Sequence, residues 1–148
     1  MVKDNAIHER GYIYNFHYHL VWATKYRREI FNTSQLVTEM LNILKKIASD
    51  NEITIEQLEV MPDHVHLLLN FKPKYAPATV VKILKGASAR TWFVIHPETK
   101  KLLWGGHLWS PSYYMGTLGD MSKETVANYI QNQRTERGKA GRPNNNTN

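Results

Sequence analysis

His64 and His66 are separated by one residue in the run Asp63-His64-Val65-His66-Leu67-Leu68-Leu69. In a strand, residues two apart leave the same face, so both imidazoles project from one side of a sheet while Val65, Leu67 and Leu69 leave the other. Two neutral imidazoles at this separation can share one metal ion. A metal fixed on a sheet suits phosphoryl transfer or hydrolysis. A second pair, His17 and His19, flanks Tyr18. It lies among polar aromatics, where ring nitrogens find hydrogen-bond partners, so its expected role is structural.

Near the C-terminus Tyr129 and Gln133 stand four apart and share a helical face. Gln133 offers a carbonyl oxygen, a ligand type accepted by hard divalent ions such as Mg²⁺ or Mn²⁺. Tyr129 offers a phenol, a poor nucleophile at its free pKa of about 10. It can attack a phosphodiester that a metal polarises and holds in line. Taken alone, the same spacing also describes an ordinary amphipathic helix in which Tyr129 packs and Gln133 is solvated.

These residues need elements to position them. Residues 12–23 alternate, with Tyr18, Leu20 and Trp22 on one face and His17, His19 and Val21 on the other, which predicts a long first strand. It runs out into the basic cluster Thr24-Lys25-Tyr26-Arg27-Arg28. Asn32, Thr33 or Ser34 can cap a first helix carrying Leu36, Met40, Ile43, Leu44 and Ile47 to about Ser49. Residues 53–60 and 64–71 read as strands joined by the Pro62-Asp63 turn, an antiparallel hairpin. Pro77 suits the first turn of a second helix, which carries Val80, Ile83, Leu84, Ala87 and Val94 and stops at Pro97. Gly105-Gly106 opens a fourth strand over residues 107–117, broken or bulged at Pro111. Gly116 and Gly119 then form a connector to a third helix, N-capped by Ser122 and running from about Lys123 to Arg137.

The order β-α-β-β-α-β with a further helix predicts an α+β fold, the ferredoxin-like (RRM-like) split β-α-β with an antiparallel sheet. The extra C-terminal helix carries Tyr129. Residues 1–137 are expected to form a single domain and residues 138–148, without apolar periodicity, a disordered tail.

Composition narrows the function. With 148 residues and 42% hydrophobic content the chain can bury a core, and the lack of cysteine excludes disulfides and thiolate metal sites. No apolar run reaches membrane-spanning length and the N-terminus lacks a signal core, so a cytoplasmic protein with no membrane partner is expected. The net charge of +6, with 8 Tyr and 4 Trp interleaved among Lys and Arg, suits unstacked bases and their phosphates. Lys25, Arg27 and Arg28 at the strand exit are the first candidates for nucleic-acid contact, followed by Lys82, Lys85 and Arg90 on the second helix. Tyr26, Tyr75 or Trp104 could stack on bases. No Walker-type glycine loop occurs, so no nucleotide cofactor is expected.

His64-Val65-His66 followed by leucines resembles the His-hydrophobic-His signature of HUH endonucleases. Tyr129 with Gln133 resembles the nucleophile helix of the single-tyrosine HUH transposases, the TnpA-type enzymes of the smallest insertion sequences. The stretches Tyr18-His19-Leu20-Val21-Trp22-Ala23-Thr24-Lys25-Tyr26-Arg27-Arg28 and Leu108-Trp109-Ser110-Pro111-Ser112-Tyr113-Tyr114-Met115-Gly116-Thr117 are similar to that family too, and the likeness runs in order over residues 12–133. The resemblance implies a transposase that is a homodimer and cuts and rejoins single-stranded DNA at hairpin-bearing element ends. It implies Tyr129 as nucleophile, forming a 5′-phosphotyrosine link and releasing a 3′-hydroxyl. His64, His66 and Gln133 become ligands of Mg²⁺ or Mn²⁺. The tyrosine helix is exchanged between subunits, so active sites form in trans. The rival readings are a domesticated relative that processes chromosomal repeat hairpins, a non-enzymatic RNA-binding module, and a small zinc hydrolase that would leave Tyr129 without a role.

Overall fold

The computed structural model describes residues 6–9, 12–14, 17–117 and 128–131. Strands β1 (Ile7–Glu9) and β2 (Tyr12–Tyr14) pair antiparallel as a small separate ribbon. Strand β3 (His17–Ala23) is followed by helix α1 (Ser34–Asp50), strands β4 (Ile53–Met61) and β5 (His64–Phe71), helix α2 (Pro77–Ile95) and strand β6 (Tyr114–Thr117). The main sheet is antiparallel throughout, in the spatial order β4-β5-β3-β6. The expected α+β class and antiparallel sheet are present. The first strand differs from expectation: residues 12–23 divide into β2 and β3, which belong to different sheets.

Local sequence explains the element ends. Thr33 opens α1, its hydroxyl oxygen accepting the Leu36 amide at 3.2 Å. Asn51 closes it, its side-chain amide donating to the Ile47 carbonyl at 2.8 Å. Pro77 occupies the first turn of α2 without a side-chain cap. Pro62 and Asp63 make the tight link between β4 and β5, which places Met61 opposite His64 and Val60 opposite Val65.

The core lies between one sheet face and the two helices. Leu20 and Trp22 of β3 and Val65, Leu67 and Leu69 of β5 pack with Met40 and Leu44 of α1 and with Val81, Leu84 and Trp92 of α2. Trp92 meets Phe31 edge to face, with ring centroids 5.0 Å apart. Each fully buried leucine contributes roughly 1.5–3 kcal/mol. That sum fixes the register of β5, because a slip of one residue would drive its leucines to the other face and pull the histidines into the core.

The fourth strand is shorter than the expected 107–117. Only Tyr114–Thr117 pairs continuously with β3, while Trp109 makes an isolated bridge with Thr24. Ahead of it come the short 3₁₀ turns Pro97–Leu102 and Trp104–Gly106, where Gly105 and Gly106 hold φ of 83° and 70°. Gly116 is a strand residue opposite His19, not part of a connector. Residues 128–131 are helical, in keeping with a third helix. The rest of that expected helix, Gln133 included, lies outside the described residues, as do Gly119, Ser122 and the expected tail over residues 138–148. No helix among the described residues is long and apolar enough to cross a membrane.

Candidate active site

The half-buried rings of His64 and His66 leave β5 on the sheet face opposite the core, beside Ala23 and Val21 of β3. His64 Nδ1 donates to Asp63 Oδ1 at 2.9 Å, which leaves its Nε2 as the nitrogen with a free lone pair. The other Asp63 oxygen accepts from Arg27 Nε at 2.9 Å and Nη2 at 2.6 Å. Burial pushes the Asp63 carboxyl up, but the hydrogen bonds from His64 and Arg27, with the Arg27 charge, outweigh it and hold the group below its usual value.

His66 Nε2 sits 3.2 Å from Nδ1 of His19. Burial lowers the basicity of both rings, reinforced at His19 by the neighbouring His66 and at His66 by His64 against the opposing pull of Glu59. Neutral imidazole is the form that ligates a metal. His17 keeps the structural role expected of it, with Nδ1 2.6 Å from Glu56 Oε1. His19 also finds a hydrogen-bond partner, as expected, and that partner is His66.

The basic residues divide three ways. Lys82 and Arg90 are exposed. Lys25 and Arg28 are half-buried, and the Arg28 Nε is buried with no hydrogen-bond partner among the described residues. Arg27 and Lys85, expected at the DNA surface, have their donors engaged inside the fold. Arg27 is 2% exposed. It lies in the turn Lys25–Arg27, where Tyr26 and Arg27 take φ of 58° and 55°. The Lys85 ammonium donates to the carbonyls of Ser110 at 2.6 Å and Ser112 at 3.0 Å, and burial lowers its pKa to about 8. It thereby holds residues 110–112, the looped stretch between the Trp109 bridge and β6.

That stretch meets the tyrosine. Ser112 Oγ lies 3.4 Å from the Tyr129 hydroxyl, and Tyr129 is half-buried. One residue on, the Ile130 carbonyl accepts from Arg27 Nη1 at 3.0 Å. The phenol-bearing segment is therefore tied to the sheet end that carries Asp63 and His64. Gly116 leaves room for Tyr114, whose hydroxyl would come within 2.7 Å of any added Cβ.

Two neutral-capable imidazoles on one face, one of them oriented by a carboxylate, fit a divalent ion as a partial donor set. Among the described residues there is no group of three or more His, Asp or Glu side chains that could hold such an ion. The residues that reasoning from sequence missed are His19, Asp63 and Ser112. Asp63 had a readable signal, a carboxylate next to a histidine pair. His19 needed the strand register, and Ser112 needed the loop path.

Comparison with known proteins places these features in context. Residues 12–133 match the family described as transposase, IS200 like. The ISDra2 transposase TnpA of Deinococcus radiodurans is 44% identical over 124 residues, spanning 84% of this chain and 88% of the relative. The transposase for insertion sequence element IS200 of Salmonella typhimurium is 29% identical over 123 residues, spanning 83% and 80%. A crystal structure of a candidate transposase from Deinococcus radiodurans R1 superposes with a TM-score of 0.79 at 43% identity, covering 86% of this chain and 97% of that one. A REP-associated tyrosine transposase bound to a REP hairpin shares the fold, with a TM-score of 0.51 at 14% identity over 84% of this chain and 67% of that one.

Proposed function

The chain belongs to the IS200-like, TnpA-type transposases, and from that premise we propose that it cuts and rejoins single-stranded DNA at hairpin-bearing element ends through Tyr129. The observation that carries this reading is the docking of the Tyr129 segment, through Arg27 and Asp63, on the sheet end from which His64 projects.

The reaction exchanges one phosphodiester for another. The phenol oxygen of Tyr129 bonds to phosphorus, the bond from phosphorus to the 3′ oxygen breaks, and the proton given up by the phenol is matched by one gained at the departing 3′-hydroxyl. The 5′-phosphotyrosine keeps the energy of the broken linkage, so a second 3′-hydroxyl can reseal it without a nucleotide cofactor. Asp63 holds the His64 ring in one tautomer and orientation, leaving the Nε2 lone pair available to a metal. A divalent ion, Mg²⁺ or Mn²⁺, held by His64 and His66 with Gln133 as third ligand, would supply charge and orientation at the scissile phosphate.

The finer fold reading is ferredoxin-like, supported by the strand order β4-β5-β3-β6 and by helices that follow β3 and β5. One catalytic domain over residues 1–137 would act in the cytoplasm as a homodimer that exchanges its Tyr129 helices, so that the Arg27 to Ile130 contact re-forms across the pair. Mixing Tyr129→Phe chains with His64→Ala chains restores cleavage if sites are shared in this way, and leaves the mixture inactive if each chain uses its own tyrosine.

The deciding experiment incubates the purified protein with single-stranded hairpin DNA and Mg²⁺ or Mn²⁺. A denaturation-resistant protein–DNA adduct is expected, abolished by Tyr129→Phe. An adduct that survives that substitution, or no adduct with any hairpin-bearing strand, overturns the reading.

A further inference from the structure

Arg27 divides its guanidinium between two segments far apart in sequence. Nε and Nη2 grip one oxygen of Asp63, while Nη1 donates to the carbonyl of Ile130 at 3.0 Å. The second Asp63 oxygen accepts from His64. An unbroken series of hydrogen bonds thus runs from the backbone beside Tyr129 to a histidine ring of β5. An ion pair with Asp63 alone would not need the third nitrogen, and lysine, a compact ammonium on a flexible stem, lacks the planar fork whose separate nitrogens reach Asp63 and Ile130 at once. The chain also accepts an unfavourable backbone here: Tyr26 and Arg27 both hold left-handed φ, 58° and 55°, which turns the Arg27 side chain inward. A second contact, Ser112 Oγ to the Tyr129 hydroxyl at 3.4 Å, meets the same segment through its side chain.

We propose that Arg27 is a positioning residue, one that docks the Tyr129 segment on the histidine-bearing strand and so sets where the phenol stands relative to His64. The effect on cleavage rests on the transposase reading; the docking itself does not. Placement of a nucleophile is worth a great deal to rate, and a misplacement of about 1 Å can lower it on the order of 100-fold.

The test places 3-fluorotyrosine at position 129 and compares the full-length protein with its Arg27→Lys variant. Lysine keeps a positive charge beside Asp63 and gives up the bond to Ile130. The expected result is a displaced ¹⁹F resonance and an adduct rate lower on the order of 100-fold, with Mn²⁺ affinity retained. An unchanged resonance overturns the proposal. So does a fall in Mn²⁺ affinity and melting temperature in step with the rate, which marks a merely structural arginine. Should Arg27→Lys fail to fold, the paired replacement Arg27→Met with Asp63→Leu removes both charges together, a change that buried ion pairs tolerate. The resonance must then move as well, and a fixed one overturns the proposal. If the unsubstituted protein forms no adduct, the transposase reading falls, while the ¹⁹F comparison still decides the docking.

Discussion

His19 and His66 stack with ring centroids 5.4 Å apart and 25° between their planes, and His19 Nδ1 faces His66 Nε2 at 3.2 Å. The bond occupies His66 Nε2, so a metal that took this nitrogen would have to displace His19 from it. Replacing His19 with Phe keeps a ring in the stack and deletes the bond. A neutral hydrogen bond is worth about 0.5–1.5 kcal/mol net, so Mn²⁺ affinity is expected to rise by up to about tenfold. Calorimetric titration measures it, and an affinity that stays level or drops shows that the two nitrogens do not compete.

Asp63→Ala removes the carboxylate from between Arg27 and His64. Arg27 is 2% exposed, so its charge is left buried and unpaired. Loss of one partner from such a pair costs about 3–5 kcal/mol in urea unfolding. If His64 ligates a metal, loss of the group that orients it lowers Mn²⁺ affinity by about 10- to 100-fold. Both losses are expected together, and a stable variant with intact Mn²⁺ binding contradicts the account.

Lys85 gives a pH signature. Its pKa in the folded protein is about 8 against an ordinary 10.5, because burial disfavours the charged amine. Between these values the unfolded chain holds a proton that the folded chain has released, so stability rises with pH across that window and is flat below it. Urea midpoints of the protein, taken relative to Lys85→Met, are expected to climb from pH 8 to pH 10.5. A flat difference shows an amine that is fully hydrated.

Ser88 is fully buried on α2, accepts from Trp109 Nε1 at 2.9 Å and donates to the Lys85 carbonyl at 3.1 Å. Ser88→Ala strands the indole donor. The expected loss is about 1–3 kcal/mol, the penalty of a buried group without a partner. Indole fluorescence during unfolding reads it, and a change near zero means that the indole finds another acceptor.

Lys82 and Arg90 are the exposed cations of α2. If they meet phosphates, Lys82→Ala and Arg90→Ala each reduce the slope of log K against log salt for single-stranded DNA by about 0.7. Equal slopes for variant and unsubstituted protein remove these residues from the interface.

The hairpin, the first two helices and the sheet face of the paired imidazoles are readable from spacing, because each rests on local periodicity. Val65, Leu67 and Leu69 alternate with His64 and His66 whatever lies around them. The division of residues 12–23 between two sheets was not readable, since alternation passes through residues 15 and 16 without a break. The inward engagement of Arg27 and Lys85 is not legible for one reason: charge predicts exposure until a carboxylate or a pair of carbonyls is within reach. The partners in question, Asp63, Ser110, Ser112 and Ile130, come from distant parts of the chain. Gln133 still stands on sequence reasoning alone.

The left-handed pair Tyr26 and Arg27 has a bearing on engineering. Glycine adopts such a conformation without steric penalty, so substitution at 26 would relax the turn. A laboratory selection for heat tolerance alone would reward that relaxation where it outweighs the freedom glycine gives the unfolded chain and the lost contact of Lys25 with the Tyr26 ring, and it would loosen the bend that carries the neighbouring guanidinium. Thermal hardiness and catalytic aim would then part company at a single bend of the chain.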